Sequence, residues 1–129
     1  MEHDTIKTKN GWADRLPILK NKQINMPTLT EIKKKTLSPG IVGQYVHGAS
    51  TTLGYVLIEK GSVLAEHNHP HEQITMILEG SLEMKIGDET HLLTEGMIHV
   101  IPSNVKHSAV AHSDCKLIDV FSPVREEYK

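Results

Sequence analysis

From residue 36 onward a turn signal cuts the chain every few residues, and no window of ten or more between the signals holds a helical period. Ser38-Pro39-Gly40, Gly48-Ala49-Ser50, Lys60-Gly61-Ser62, Glu79-Gly80-Ser81, Gly87-Asp88, Glu95-Gly96 and Pro102-Ser103-Asn104 separate apolar runs of four to seven residues. A helix needs longer uninterrupted text than this, so the segment can bury its apolar residues only as short strands in an antiparallel sandwich or barrel. The expected strands are 41–47, 52–59, 63–68, 73–79, 81–86, 89–93, 97–101, 107–112 and 116–121. Leu82-Glu83-Met84-Lys85-Ile86 and Thr90-His91-Leu92-Leu93, alternating about Gly87-Asp88, read as a hairpin. A length of 129 residues with 38% hydrophobic content suits one domain. The single cysteine, Cys115, can neither close an intrachain disulfide nor build a cysteine cage, so packing must supply the stability.

Charge divides the chain. Residues 1–35 carry eight Lys/Arg and four acids, whereas residues 36–129 carry six and twelve. The first stretch reads as an N-terminal arm, loosely structured or crossing to a partner subunit, and residues 36–129 as the β-barrel. Trp12, Leu16, Ile18 and Leu19 are the anchors of the arm, and Pro17, Pro27 and Gly11 punctuate it. Glu31-Ile32-Lys33-Lys34-Lys35 reads as a short helix or an edge strand, and its lysines, a common guard on exposed edges, favour the strand. A net charge of −2 offers no field for a phosphate backbone, so nucleic acid is not an expected partner. No apolar run approaches the roughly 20 residues that span a bilayer, and the opening residues lack an apolar signal core, so no membrane association and a cytoplasmic location are expected.

Nine histidines are the unusual count, and three of them fall in Gly61-Ser-Val-Leu-Ala-Glu-His67-Asn-His69-Pro-His71-Glu-Gln73. On a strand, residues two apart face one side, so His67 and His69 can offer two imidazoles to one ion. Gln73 would share that face if the strand continued, although Pro70 interrupts simple parity, and its amide oxygen is a neutral ligand. A fourth ligand must come from another strand, and His107, entering a new apolar run after Pro102-Ser103-Asn104, is the best placed. His3, His47, His91, His99 and His112 read as surface or hydrogen-bonded residues, with His71 between the two classes.

These residues resemble the two motifs of the cupin superfamily, G-x5-H-x-H-x3,4-E-x6-G and G-x5-P-x-G-x2-H-x3-N. The first reads here as Gly61, His67, His69, Gln73 and Gly80, and the second as Gly96, Pro102, Asn104 and His107. Gln73 stands in place of the usual glutamate, Asn104 in place of glycine and Ala111 in place of the last asparagine. Asparagine can still adopt the left-handed turn that glycine normally supplies. The resemblance covers residues 36–125 and implies a cupin double-stranded β-helix, or jelly-roll barrel, with a divalent transition metal (Ni, Fe, Mn, Zn or Co) on His67, His69, Gln73 and His107. It does not imply one reaction, because the superfamily hosts many.

The His-His-Gln-His set, with Asp119-Val-Phe121-Ser-Pro123-Val-Arg125 near the C-terminus, is similar to the small single-domain cupins of the pectin-degradation (KdgF) type. That narrower resemblance implies ring opening and tautomerisation of 4,5-unsaturated monouronates to linear keto sugars, with Asp119, Phe121 and Arg125 handling the substrate. The residues themselves allow it: Asp119 and Phe121 alternate on one strand, and Arg125 follows a proline turn. They equally allow Phe121 as core, Asp119 capping a turn and Arg125 paired with Glu126 or Glu127. Two other functional readings stay open, an Fe(II) cupin dioxygenase and a non-catalytic metal- or sugar-binding cupin. A homodimer is expected from the basic arm and the acidic body.

Overall fold

In a computed structural model, residues 27–129 are described. The arm's anchors Trp12, Leu16, Ile18 and Leu19, together with His3, lie outside the described residues. Ten strands follow a short 3-10 turn at Leu29–Glu31: β1 (Lys35–Ser38), β2 (Ile41–His47), β3 (Thr52–Ile58), β4 (Val63–His67), β5 (Glu72–Glu79), β6 (Leu82–Ile86), β7 (Glu89–Leu93), β8 (Ile98–Ile101), β9 (His107–Ala111) and β10 (Cys115–Ser122). The nine expected strands are present, each within a residue or two of its expected bounds. The 31–35 run differs: its first residue closes the 3-10 turn, and Lys35, the last residue assigned to the arm, opens β1. No helix among the described residues is long and apolar enough to cross a membrane.

Two antiparallel sheets face each other. Sheet A runs β1-β2-β3-β10-β5-β8 and sheet B runs β4-β9-β6-β7, so neighbours in sequence often lie in different layers. Period-2 alternation places one set of side chains from each sheet in the space between them. Ile41, Val56, Ile77, Ile101 and Leu117 from sheet A meet Leu82, Met84, Leu93 and Ala109 from sheet B in one core. Truncating a fully buried member such as Ile77 to alanine would cost about 2–5 kcal/mol, from lost transfer energy and the cavity left behind.

One inward aromatic needs bare backbone beneath it. The Tyr45 ring lies over Gly43, two residues back on its own strand, and over Gly54, its register partner on β3, and a β-carbon at either glycine would collide with it. Those two glycines let Tyr45 lie flat and stack on Tyr128 with ring centroids 4.3 Å apart.

Candidate metal centre

The site forms at one end of the sandwich, where the sheets contribute different chemistry. From sheet B, His67 ends β4 and His107 begins β9, and the two are direct register partners beyond a bulge between Leu64 and His67. From sheet A, β5 supplies Gln73 and Thr75, and β10 supplies Asp119 and Phe121, with Gln73 opposite Phe121 and Thr75 opposite Asp119. His69 belongs to neither sheet. The sequence places His67 and His69 on one strand face, but β4 stops at His67 and residues 68–71 form a loop, so His69 arrives by a turn around Pro70.

That loop is pinned by the turn before β9. Asn104 N–H donates to the His69 carbonyl at 2.8 Å, and the Ser103 hydroxyl donates to the Pro70 carbonyl at 2.5 Å. Asn104 holds φ 65°, the one positive φ outside glycine among the described residues, as expected for a residue standing where the family pattern has glycine. The second motif therefore supplies His107 and also holds His69 in place.

His67, His69 and His107 bring one ring nitrogen each to within 4.8 Å of one another, and so can hold a metal ion. Their tautomers are set from behind. Nδ1 of His67 lies 2.9 Å from the Ala65 carbonyl, Nδ1 of His69 3.0 Å from the His71 carbonyl, and Nδ1 of His107 2.9 Å from the Val105 carbonyl. A carbonyl only accepts, so each Nδ1 carries the proton and each Nε2 presents a lone pair. Burial, opposed by the bond to Val105 and assisted by the charges of the other two histidines, pushes His107 down to about 4, and burial with the Arg125 charge lowers His69. Both shifts favour the neutral imidazole that ligates.

Two further observations fit a cation to this donor set. His107 Nε2 is buried and has no hydrogen-bond partner among the described residues. The Gln73 amide nitrogen donates to Thr75 Oγ1 at 2.9 Å and to Asp119 Oδ1 at 3.1 Å, which turns its oxygen toward His69 Nε2, 3.1 Å away. With the His69 proton on Nδ1, an acceptor faces an acceptor at that distance, and a cation between them resolves the repulsion. The amide bonds of Gln73 thus turn its oxygen toward the three histidines.

Asp119 closes the network. Thr75 Oγ1 donates to Asp119 Oδ1 at 2.6 Å, so both recorded bonds fall on that one oxygen, and among the described residues Oδ2 has no hydrogen-bond partner. Burial pushes the carboxyl up to about 6, against the downward pull of Thr75, Gln73 and the Arg125 charge. A cavity of about 50 Å³ between the sheets is lined by His67, Gln73, His107, Asp119, Phe121 and Tyr128, with room for an ion and a few waters.

Arg125 folds back over this end. Its guanidinium carbon lies over the ring of Phe121 (4.7 Å) and over that of Tyr128 (4.2 Å), which stand nearly perpendicular to each other, while Nε donates to Glu127 at 2.9 Å. The pairing with Glu127 is one of the sequence's two readings of Arg125, and its charge also reaches His69, His107 and Asp119. Phe121 is buried in the core and also edges His69, ring centroids 5.8 Å apart. His71 is tied elsewhere, Nε2 donating to the Val124 carbonyl at 3.1 Å. His47, His91 and His112 hydrogen-bond to Thr52, Glu89 and Glu83 respectively. Thr75 and Tyr45 were not singled out by the sequence. Thr75 carried a signal, two residues past Gln73 on the same inward period.

Two sheets closing at one end on three histidines that can hold a metal ion define a small β-barrel of this kind, and the cupin domain model matches residues 54–121. The chain belongs to the cupin family. It is 34% identical over 71 residues to the pectin degradation protein KdgF of Dickeya dadantii (strain 3937), an overlap of 54% of this chain and 64% of that protein, so the chain spans less than two thirds of that relative's length. Among solved structures, KdgF from Halomonas sp. superposes with a TM-score of 0.77 at 28% identity, over 83% of this chain and 100% of that one. An RmlC-like cupin from Shewanella frigidimarina NCIMB 400 does so with a TM-score of 0.77 at 24% identity, over 83% and 97%.

Proposed function

We propose that this cupin acts in pectin or alginate breakdown, converting 4,5-unsaturated monouronates to linear keto sugars in a metal-dependent ring opening. The observation that carries the reading is the Gln73–Thr75–Asp119 network, which aims an amide oxygen at the histidine centre and leaves one carboxylate oxygen of Asp119 free beside it. The similarity to two KdgF proteins supports the substrate class. His67, His69, His107 and Gln73 would hold a divalent transition metal, whose chemistry there is to polarise substrate oxygens and stabilise developing enolate charge.

The reaction is redox-neutral. The ring form is a hemiacetal joined through O5 to a C4=C5 enol ether. Opening removes the proton from the anomeric hydroxyl, breaks C1–O5 to leave an aldehyde, and delivers a proton to C4 as C5 becomes a ketone. One proton leaves oxygen and one arrives at carbon, so a single carboxyl can serve as base and then acid. Asp119, pushed up to about 6 and held by Thr75 and Gln73, is that group. The sugar ring lies toward the mouth, where Arg125 offers the substrate carboxylate its remaining N–H groups and Phe121 walls off water. The same reading has the chain working as a homodimer on a small molecule, without nucleic acid or membrane.

The test is loss of the conjugated-alkene ultraviolet signal when 4,5-unsaturated galacturonate meets the metal-loaded protein. Acceleration over the spontaneous rate, lost on chelation and restored by metal, is expected. No acceleration by protein shown to contain metal overturns the reading.

A further inference from the structure

Tyr128 stands where a substrate would have to be. Its ring lines the same cavity as His67, His107 and Asp119, and that cavity, about 50 Å³, has room for an ion and a few waters. A sugar acid of about a dozen non-hydrogen atoms needs about 300 Å³ or more. Register puts the ring there. Tyr45 is opposite Gly54 and Gly54 is opposite Asp119, so Tyr45, flat over Gly54, lies beside the carboxyl, and Tyr128 stacks on Tyr45 at 4.3 Å. The same two tyrosines also line a groove of about 320 Å³, whose other walls include Lys33, Lys35, His47 and Lys129 and no acidic residue. The Tyr45–Tyr128 pair is thus the partition between a small cavity at the histidines and a larger basic groove.

The segment that carries Tyr128 has a fixed root and a lightly held tip. At the root Val124 and Arg125 are buried, with His71 Nε2 donating to the Val124 carbonyl at 3.1 Å and the Arg125 N–H donating to Thr52 Oγ1 at 2.9 Å. The tip is the 3-10 turn Glu126–Tyr128 with Lys129, and exposed residues flank the half-buried Tyr128 on both sides. Two bonds latch the tip to the barrel: His47 Nε2 donates to the Tyr128 carbonyl at 3.2 Å, and Lys35 Nζ donates to the main-chain oxygen of Lys129 at 3.3 Å. A tip tied at the surface opens at lower cost than a root buried against the sheet. Its swing would carry Tyr128 off Tyr45 and Glu127 off Arg125. Cavity and groove would then join, and Arg125 Nε as well as its remaining N–H groups would be open to an incoming carboxylate.

We propose that Tyr128 is a size-selective gate on the histidine centre, and that a sugar acid enters through the lysine-lined groove when the tip swings out. With the gate closed, the half-exposed His67 leaves a narrow way in for small molecules alone. Positive charge along the groove raises the rate at which an anion arrives. The inference rests on the uronate reading for the identity of the molecule admitted, and on the three histidines for its destination.

The experiment loads the full chain with cobalt(II) and follows its visible spectrum as one of two anions is mixed in: azide, small and linear, or picolinate, a flat ring carrying a carboxylate. Picolinate binds cobalt(II) through its ring nitrogen and carboxylate whatever the natural substrate is, so this test and the turnover assay can fail independently. In the wild type the azide rate should rise in proportion to concentration, whereas the picolinate rate should level off as opening becomes limiting. Tyr128→Ala should bind picolinate about tenfold faster with azide unchanged, and Tyr128→Phe, which keeps the ring, should match the wild type. Circular dichroism and cobalt content check folding. Should Tyr128→Ala not fold, His47→Ala carries the test, because it frees the tip but keeps the ring, and it should speed picolinate about threefold. Lys33→Glu should slow picolinate about twofold at low salt and not at high salt. Equal picolinate rates in the wild type and the freed variant overturn the gate, as does an azide rate raised by the same factor or picolinate binding to neither protein. A Lys33→Glu rate equal to that of the wild type overturns the groove as the way in.

Discussion

Sheet B and sheet A meet at one cavity and bring different chemistry to it. Sheet B contributes nitrogen: His67 and His107 face each other in register, each fixed from behind by a backbone carbonyl two residues earlier. Sheet A contributes oxygen and protons: Gln73, Thr75 and Asp119 form one hydrogen-bonded unit across β5 and β10. Under the proposed function the difference becomes a division of labour, in which sheet B sets two of the three histidines, sheet A sets the acid/base, and His69 and Gln73 join them from the loop and from β5. Metal content and turnover measured on the same variants can take the two apart.

The largest expected effect breaks the sheet B half. His107 is buried at 2% exposure and its Nε2 has no hydrogen-bond partner among the described residues, so His107→Ala removes one of the three nitrogens that can hold the ion. Metal measured by plasma mass spectrometry should fall to background, and turnover with it. Breaking the sheet A half should look different. Asp119→Asn keeps the shape and deletes the proposed acid/base, so kcat should drop about 10²–10⁴-fold while metal content holds. If Asp119→Asn loses metal as His107→Ala does, the division between the sheets is wrong.

Gln73 sits on the boundary, and replacing it sharpens the comparison. Gln73→Glu cannot donate to Thr75 and Asp119, and it sets a second carboxylate where the amide nitrogen lay 3.1 Å from Asp119 Oδ1. The added anion should tighten metal binding, while the lost bonds and the like charge misplace and over-raise Asp119. Turnover should fall about 10–100-fold with metal fully retained, a split that steady-state kinetics and a metal competition assay would record. Arg125→Lys is milder. It keeps the charge but loses the guanidinium's contacts with the Phe121 and Tyr128 rings and the bond from Nε to Glu127, so KM for an unsaturated uronate should rise about tenfold with little change in metal.

How legible this was in the sequence follows the same division. The strands of both sheets were legible because turn residues and period-2 alternation are local, and the three-histidine cluster because H-x-H and His107 keep their spacing on the chain. The reason given for His69 did not survive: Pro70 ends the strand, and the residue is placed by bonds from Ser103 and Asn104, over thirty residues away. Nor could spacing show that Thr75 and Gln73 share one oxygen of Asp119, which depends on β10 pairing with β5 across more than forty residues. Tyr45 was hidden for a related reason. Its bed is Gly43 and Gly54, ordinary turn-like residues until register puts both beneath one ring.

The smallest expected effect concerns the join between the halves, the turn from β8 in sheet A to β9 in sheet B. Asn104 occupies the left-handed region at φ 65° and its backbone N–H holds the His69 carbonyl at 2.8 Å. Asn104→Gly removes the side-chain strain of that conformation but widens the unfolded ensemble, two changes of opposite sign and each about 0.5–1 kcal/mol, so stability should stay within about 0.5 kcal/mol of wild type. Asn104→Ala keeps a β-carbon and loses the local polar compensation, so it should cost about 1–2 kcal/mol. Chemical denaturation of metal-free protein measures both directly. A chelator competition then asks whether the alanine variant also loosens the ion. If the turn holds His69 in place, weakening it should lower metal affinity while His67 and His107 stay paired, and the join would count with sheet B. Unchanged affinity in a destabilised Asn104→Ala protein would leave the turn as scaffold and detach it from the metal-holding half.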